Sequence, residues 1–300
     1  MTHIVVFGSV QMELVTHAER APDPGQAVSG REFHAVPGGS GGRQAVAAVR
    51  AGAAVSVAGA VGTDAYGERL RAGLVREGVD VDLLRTVPGP SGTAQVTVDA
   101  AGYPTVVAVP GANAALTVAT PGDVALIGTG DALLLSSGTP SSGVTSAALA
   151  ARERGVRTVL APSQADPLPD ELLAATGLLV VDEDGAAALT GRHEPYRSVR
   201  ALLELVPEAV VTLGAAGCLW AARGGEPMVV PAPEAAAVDT TGAGDAFAGA
   251  LAVALCEGRP TARALEWASA AAALSVARPG AAASLPYRSE IDAACPAVAS

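Results

Sequence analysis

Lysine is absent from the 300-residue chain, and all 19 of its basic side chains are arginines. That excludes a P-loop lysine, a protein-kinase strand lysine and a Schiff-base catalyst. Cysteine is scarce: Cys218, Cys256 and Cys295 lie far apart without a C-x-x-C pair, so neither a zinc site nor a disulfide framework is indicated. The histidines His3, His17, His34 and His193 are scattered and read as surface or loop residues. Positive charge is in deficit, with a net charge of −11 and a pI near 4.8, which leaves no electrostatic footprint for nucleic acid or an anionic membrane. The start of the chain lacks a basic n-region and cleavage site, and no apolar run of spanning length is free of Gly, Pro and charge. A cytoplasmic protein is the expectation. No G-x-G-x-x-G follows a strand with an acidic residue ~20 positions on, which argues against a dinucleotide-dependent oxidoreductase.

What is present is a core. Half the residues are apolar and 16% are charged, which fits one large domain with at most a small appendage. Continuous apolar strands are expected at Ile4–Phe7, Val55–Val61, Ala132–Leu135, Thr158–Ala161, Leu178–Val181 and Ala209–Thr212. Helices are expected at Arg43–Ala51, Glu68–Glu77, Val144–Arg154, Ser198–Leu205, Ala246–Cys256 and Thr261–Ala277. This alternation points to an α/β fold whose mostly parallel sheet is covered by helices on both faces. More exposed strands are confined to residues 10–36 and 91–110 and read as a small β-lid; residues 1–9, 37–90 and 111–300 form the body. Trp220 and Trp267 lie in apolar stretches and read as core.

The stretch Asp239-Thr240-Thr241-Gly242-Ala243-Gly244-Asp245-Ala246-Phe247-Ala248-Gly249 places a Gly-rich turn at the opening of an apolar helix. The first amides of a helix lack internal partners and sit at the positive end of its dipole. Gly242 and Gly244 let the backbone approach an anion closely, so this is a lysine-free phosphate cradle. Asp245 at its mouth can take a proton from an attacking hydroxyl.

This stretch resembles the C-terminal motif of the ribokinase family, also called the PfkB family of carbohydrate kinases. The resemblance continues through Gly8-Ser9, Gly38-Gly39-Ser40-Gly41, Val61-Gly62-Thr63-Asp64-Ala65-Tyr66-Gly67, Gly111 to Leu116, Thr212 to Gly217 and Gly280 to Pro286. It implies a Rossmann-like body with a β-lid, ATP with Mg²⁺ as cofactors, a small sugar-like substrate, and homodimers formed through the lid. It implies Asp245 as base and the Gly242, Ala243 and Gly244 amides as anion hole. Thr212, Leu213, Gly214, Ala215, Ala216 and Gly217 would hold the nucleotide, together with Asp182 and Ser269. Gln11, Glu13, Gly39, Ser40, Arg43 and Asp245 would meet the acceptor. A monovalent cation such as K⁺ would sit at Asp239, Thr241, Ser275, Arg278, Gly280 and Ser284, partly on backbone carbonyls.

The chain departs from that pattern at two places. The family's N-x-x-E before a helix ending L-T-G aligns, through Leu189-Thr190-Gly191, with Asp182-Glu183-Asp184-Gly185. Its glutamate is therefore Gly185, and three carboxylates crowd the same turn, either compensating for the loss or forming a solvated loop. In the acceptor site, Gln11 and Glu13 stand for the Asn and Asp of ribokinases, Ser40 for Lys, Arg43 for Asn and Gly138 for Glu. These changes predict a different acceptor. Arg43 would bind a substrate anion, or face solvent, or pair with Glu13. Two functions stay open: a kinase acting on a sugar, sugar acid, nucleoside or cyclitol, and a catalytically silent relative that binds a ligand.

Overall fold

The structure, a computed structural model, describes residues 1–162 and 168–295. In chain order the elements are β1 (His3–Phe7), β2 (Gln11–Ala18), β3 (Gly30–Gly38), α1 (Ser40–Arg50), β4 (Ala54–Gly62), α2 (Ala65–Arg76), β5 (Leu84–Val87), β6 (Gly92–Val98) and β7 (Pro104–Val109). There follow α3 (Pro121–Ile127), β8 (Ala132–Ser136), α4 (Ser141–Glu153), β9 (Arg157–Ala161), α5 (Asp170–Ala174), β10 (Leu178–Asp182), α6 (Glu183–Thr190) and α7 (Pro195–Leu205). The chain continues with β11 (Glu208–Thr212), β12 (Cys218–Ala222), β13 (Met228–Val230), α8 (Ala243–Cys256), α9 (Thr261–Val276) and α10 (Arg288–Ala294).

The large sheet runs β13-β12-β11-β10-β9-β8-β1-β4-β5 and is parallel from β11 to β5. Successive side chains of a strand point to opposite faces, so β1 feeds two cores. Ile4 and Val6 pack with α1, α8 and α9, whereas Val5 and Phe7 pack with the helices α3 to α7. Each such fully buried aliphatic side chain contributes roughly 1.5–3 kcal/mol. The antiparallel β12–β13 edge was not expected from sequence. Trp220 is half-buried and packs against the core, and Trp267 is fully buried. Helices α1, α2, α4, α7 and α8 start earlier than their apolar periodicity indicates, and of these α2 and α7 are opened by a side-chain cap. Asp64 caps α2 by accepting from the Gly67 amide, and Asp182 caps α6 by accepting from that of Gly185.

The small sheet runs β3-β2-β6-β7. Its strand β3 ends at Gly38, two residues past the expected boundary at 36. Both roots of this sheet are fastened to the body. Asn113, the only asparagine in the sequence, accepts from the Val10 amide and donates to the Val10 carbonyl, both at 3.0 Å. Asp64 accepts from the Ser91 amide at 3.0 Å and from the Ser91 hydroxyl at 2.6 Å, and that hydroxyl in turn accepts from the Gly62 amide.

Candidate active site

α8 opens at the carboxyl ends of the parallel strands. Gly242 caps it with φ of 83°, a left-handed conformation that other residues adopt only at a cost. A Cβ at this position would lie 3.2 Å from the Ala281 carbonyl oxygen and 3.4 Å from the Arg43 side chain. The Ala243 amide donates to the Thr240 carbonyl at 3.2 Å, while those of Gly242 and Gly244 donate to no backbone carbonyl among the described residues. The free donors at this helix start are therefore fewer than sequence reasoning gave, and flank Ala243.

A cavity of about 800 Å³ opens beside them, lined by Thr212, Gly214, Ala215, Gly217, Ala243, Gly244 and Ser269. Of the expected nucleotide residues, Leu213 packs against the core, and Ala216 and Asp182 do not line the cavity. The 232–237 segment, Thr240, Phe247, Ala272, Ala273 and Val276 also line it and were missed. The helical spacing of Ser269, Ala272, Ala273 and Val276 places them on one face of α9 and would have found three of them.

Asp245, in the first turn of α8, is only 6% exposed. Its Oδ1 accepts from the Ser40 hydroxyl and the Gln44 amide, both at 3.0 Å, and its Oδ2 accepts from Arg43 Nε at 2.6 Å. Arg43 Nη1 also donates to Glu13 on the lid strand β2. Glu13 accepts in addition from the Gly39 amide at 3.3 Å. Burial works against the Arg43 charge, yet Asp245 and Glu13 outweigh it and hold the guanidinium above its usual range. Of the expected acceptor residues, Glu13, Gly39, Ser40, Arg43 and Asp245 thus converge; Gln11 makes no side-chain hydrogen bond among the described residues. Gln44 was missed, although it lies one helical turn beyond Ser40. The expectation of an open carboxylate at the mouth of the cradle needs correction, because α1 presents Arg43 directly to it.

The remaining expected residues knit two loops beside the helix start. Asp239 accepts from the Thr241 and Gly280 amides, each at 2.9 Å, and the Ser275 and Ser284 hydroxyls bond at 2.9 Å. Partial burial opposes the charge on Asp239, but the Thr241 and Gly280 bonds hold its carboxyl below the usual range. The Arg278 side chain turns away to Glu290. Gly138, with φ of 86°, packs against Ser9. Among the described residues, no group of three or more His, Cys, Asp or Glu side chains is arranged to hold a metal ion. No helix among them is long and apolar enough to cross a membrane.

The pattern of the pfkB family carbohydrate kinases matches residues 1–288. The ribokinase of Bacillus subtilis is 36% identical over 295 residues, covering 97% of this chain and 99% of that one. The ribokinase of Haemophilus influenzae is 33% identical over 295 residues, covering 96% of both. The structure of Arabidopsis thaliana ribokinase complexed with ribose and ATP superposes with a TM-score of 0.92 at 30% identity, covering 99% of this chain and 100% of that one.

Proposed function

The chain belongs to the pfkB family of carbohydrate kinases, and from that premise we propose that it moves the terminal phosphoryl group of ATP onto a hydroxyl of a small sugar-like acceptor, with Asp245 as general base. One observation carries the reading: Asp245 stands in the first turn of α8, between the free amides beside the large cavity and the lid carboxylate Glu13.

ATP would lie in the 800 Å³ cavity with its phosphates toward the Gly242 and Gly244 amides. These fixed dipoles oppose the charge that develops on the transferring group. An ionised carboxylate offers roughly four acceptor positions, and Asp245 uses three, so an entering hydroxyl takes the last one or displaces a donor. Mg²⁺ would enter with the phosphates, as a hydrated ion held by few protein ligands, and would neutralise phosphate charge. The loops joined through Asp239, Ser275 and Ser284 supply hard oxygen donors suited to K⁺. The lid would close over the acceptor and exclude water. Pairing of two such lids would form a homodimer, and the enzyme would work in the cytoplasm.

The second reading, a catalytically silent ligand-binding relative, is favoured by the occupied state of Asp245 and by Gly185 at the glutamate position of the family motif. ADP release measured across pentoses, hexoses, nucleosides, sugar acids and cyclitols separates the two. The kinase reading expects acceptor-dependent release with at least one class. No release above the acceptor-free rate with any of them would favour the silent relative.

A further inference from the structure

The seat that an acceptor hydroxyl needs is taken by a side chain of the protein itself. An attacking oxygen has to touch the base on one side and the phosphoryl group on the other. Arg43 stands at that corner. Its Nε lies 2.6 Å from Asp245 Oδ2. Its Cδ and Nε lie 3.4 and 3.6 Å from where a Cβ of Gly242, the cap of the amide cradle, would sit. The other oxygen of the base, Oδ1, is already held by Ser40 and Gln44, so Oδ2 is the one a newcomer must reach. Nη1 of the same guanidinium holds Glu13 on the lid strand β2. The side chains of Arg43 and Glu13 are only 11% and 8% exposed, so the cluster shields Oδ2 from water. On its other side Arg43 borders a groove of about 300 Å³ between α1 and α2, with Gly42, Val46, Leu70 and Leu74 among its walls.

We propose that Arg43 is a gate on the base: it holds Asp245 while the acceptor seat is empty, prevents hydrolysis of bound ATP, and yields into the groove when an acceptor enters. The proposal rests on the kinase reading. The reaction it suppresses is the transfer to water. There a water oxygen bonds to the γ-phosphorus and the bond from that phosphorus to its bridging oxygen breaks. ADP leaves with the electron pair of that bond, and the water proton passes to Asp245. A charge-assisted bond between guanidinium and carboxylate is short and strong, and a single water molecule offers too little to replace it. A polyol brings several hydroxyls at once. Displacing Arg43 frees Asp245 and Glu13 together, so an acceptor that reaches both carboxylates gains two sets of bonds for one ion-paired side chain moved. Arg43 thus acts through Asp245 as a positioning residue, and exclusion of the side reaction is built into the site itself.

The experiment measures ADP release from ATP and Mg²⁺ without any acceptor, in the full chain and in two variants, with Tm recorded beside each rate. Arg43→Gln removes the gate but leaves two buried carboxylates facing each other. Arg43→Gln with Glu13→Gln removes one charge of each sign and guards against misfolding. Acceptor-free release is expected to rise about tenfold or more over the wild type, because a positioned base freed for water contributes about 10²–10⁴-fold. Adding Asp245→Asn should return it to the wild-type background. A purely structural arginine would lower activity on removal and would not create this hydrolysis. A rate no higher than the wild type in the variant that folds would overturn the gate, as would a rise that survives Asp245→Asn. Loss of the fold in both variants would make Arg43 a brace and overturn it too. Acceptor-dependent release by the wild type, measured in parallel, reports on the kinase reading. If it is present while the variants stay silent without acceptor, the gate alone fails; no release from any protein under any condition refutes both.

Discussion

At Asp64 one carboxylate caps α2 and fastens Ser91 at the root of the lid. Desolvation opposes its charge, but the bonds from Ser91 and Gly67 hold its carboxyl below the usual range. A depressed value means the stabilisation is complete above the ordinary carboxylate pKa of ~3.9 and fades as pH falls through the lower folded-state value. Asp64→Ala is expected to cost about 1 kcal/mol or more at pH 7, the usual loss for a helix cap. The difference in Tm from the wild type should narrow below about pH 4; a gap independent of pH would contradict the assignment. Arg43 shows what a single residue hides in a sequence. Its charge and its place after the Gly-rich turn are legible. Its choice among solvent, substrate and Glu13 is not, because Asp245 lies 202 positions away and only packing brings them together.

Helices α1 and α8 carry the residues that surround the base, and they meet at Gly249. A Cβ there would lie 2.6 Å from Ala47 Cβ, 3.0 Å from the Ala48 amide nitrogen and 3.1 Å from the Gln44 carbonyl oxygen. Gly249→Val should therefore push the helices apart, at a cost of roughly 1–3 kcal/mol for overpacking. It should also lower activity further than the loss of stability explains, because Gln44 and Asp245 ride on the two displaced elements. Denaturant unfolding alongside kcat/KM checks this; full activity in a stable variant would contradict it. Parallel strands were readable as elements because burial on both faces makes them continuous apolar runs. The β12–β13 hairpin was not, since strands at a sheet edge mix buried and exposed positions and lose that signature.

Across the whole molecule, the mostly parallel sheet covered by helices and the smaller second sheet follow from apolar patterning and ordered motifs spread along the sequence, whereas the strand order does not. One wall of the large cavity was not legible either, because residues 232–237 have no periodicity or motif of their own. The lid leaves an apolar edge uncovered: all six residues of β7 are exposed, including Val106 at 53% and Val107 at 59%. An uncovered edge strand of this kind calls for a partner. Light scattering should find a dimer that Val106→Asp with Val107→Asp converts to monomer, whereas a monomeric wild type would refute lid pairing. The central claim concerns the proton taken from the acceptor. Asp245→Asn keeps the shape of the side chain while removing its basicity, so its kcat with the preferred acceptor, measured beside ATP affinity, is the most direct test. A fall of roughly 10²–10⁴-fold or more, with the Kd for ATP changed less than about threefold, is the predicted result. Turnover within about tenfold of the wild type would contradict the account.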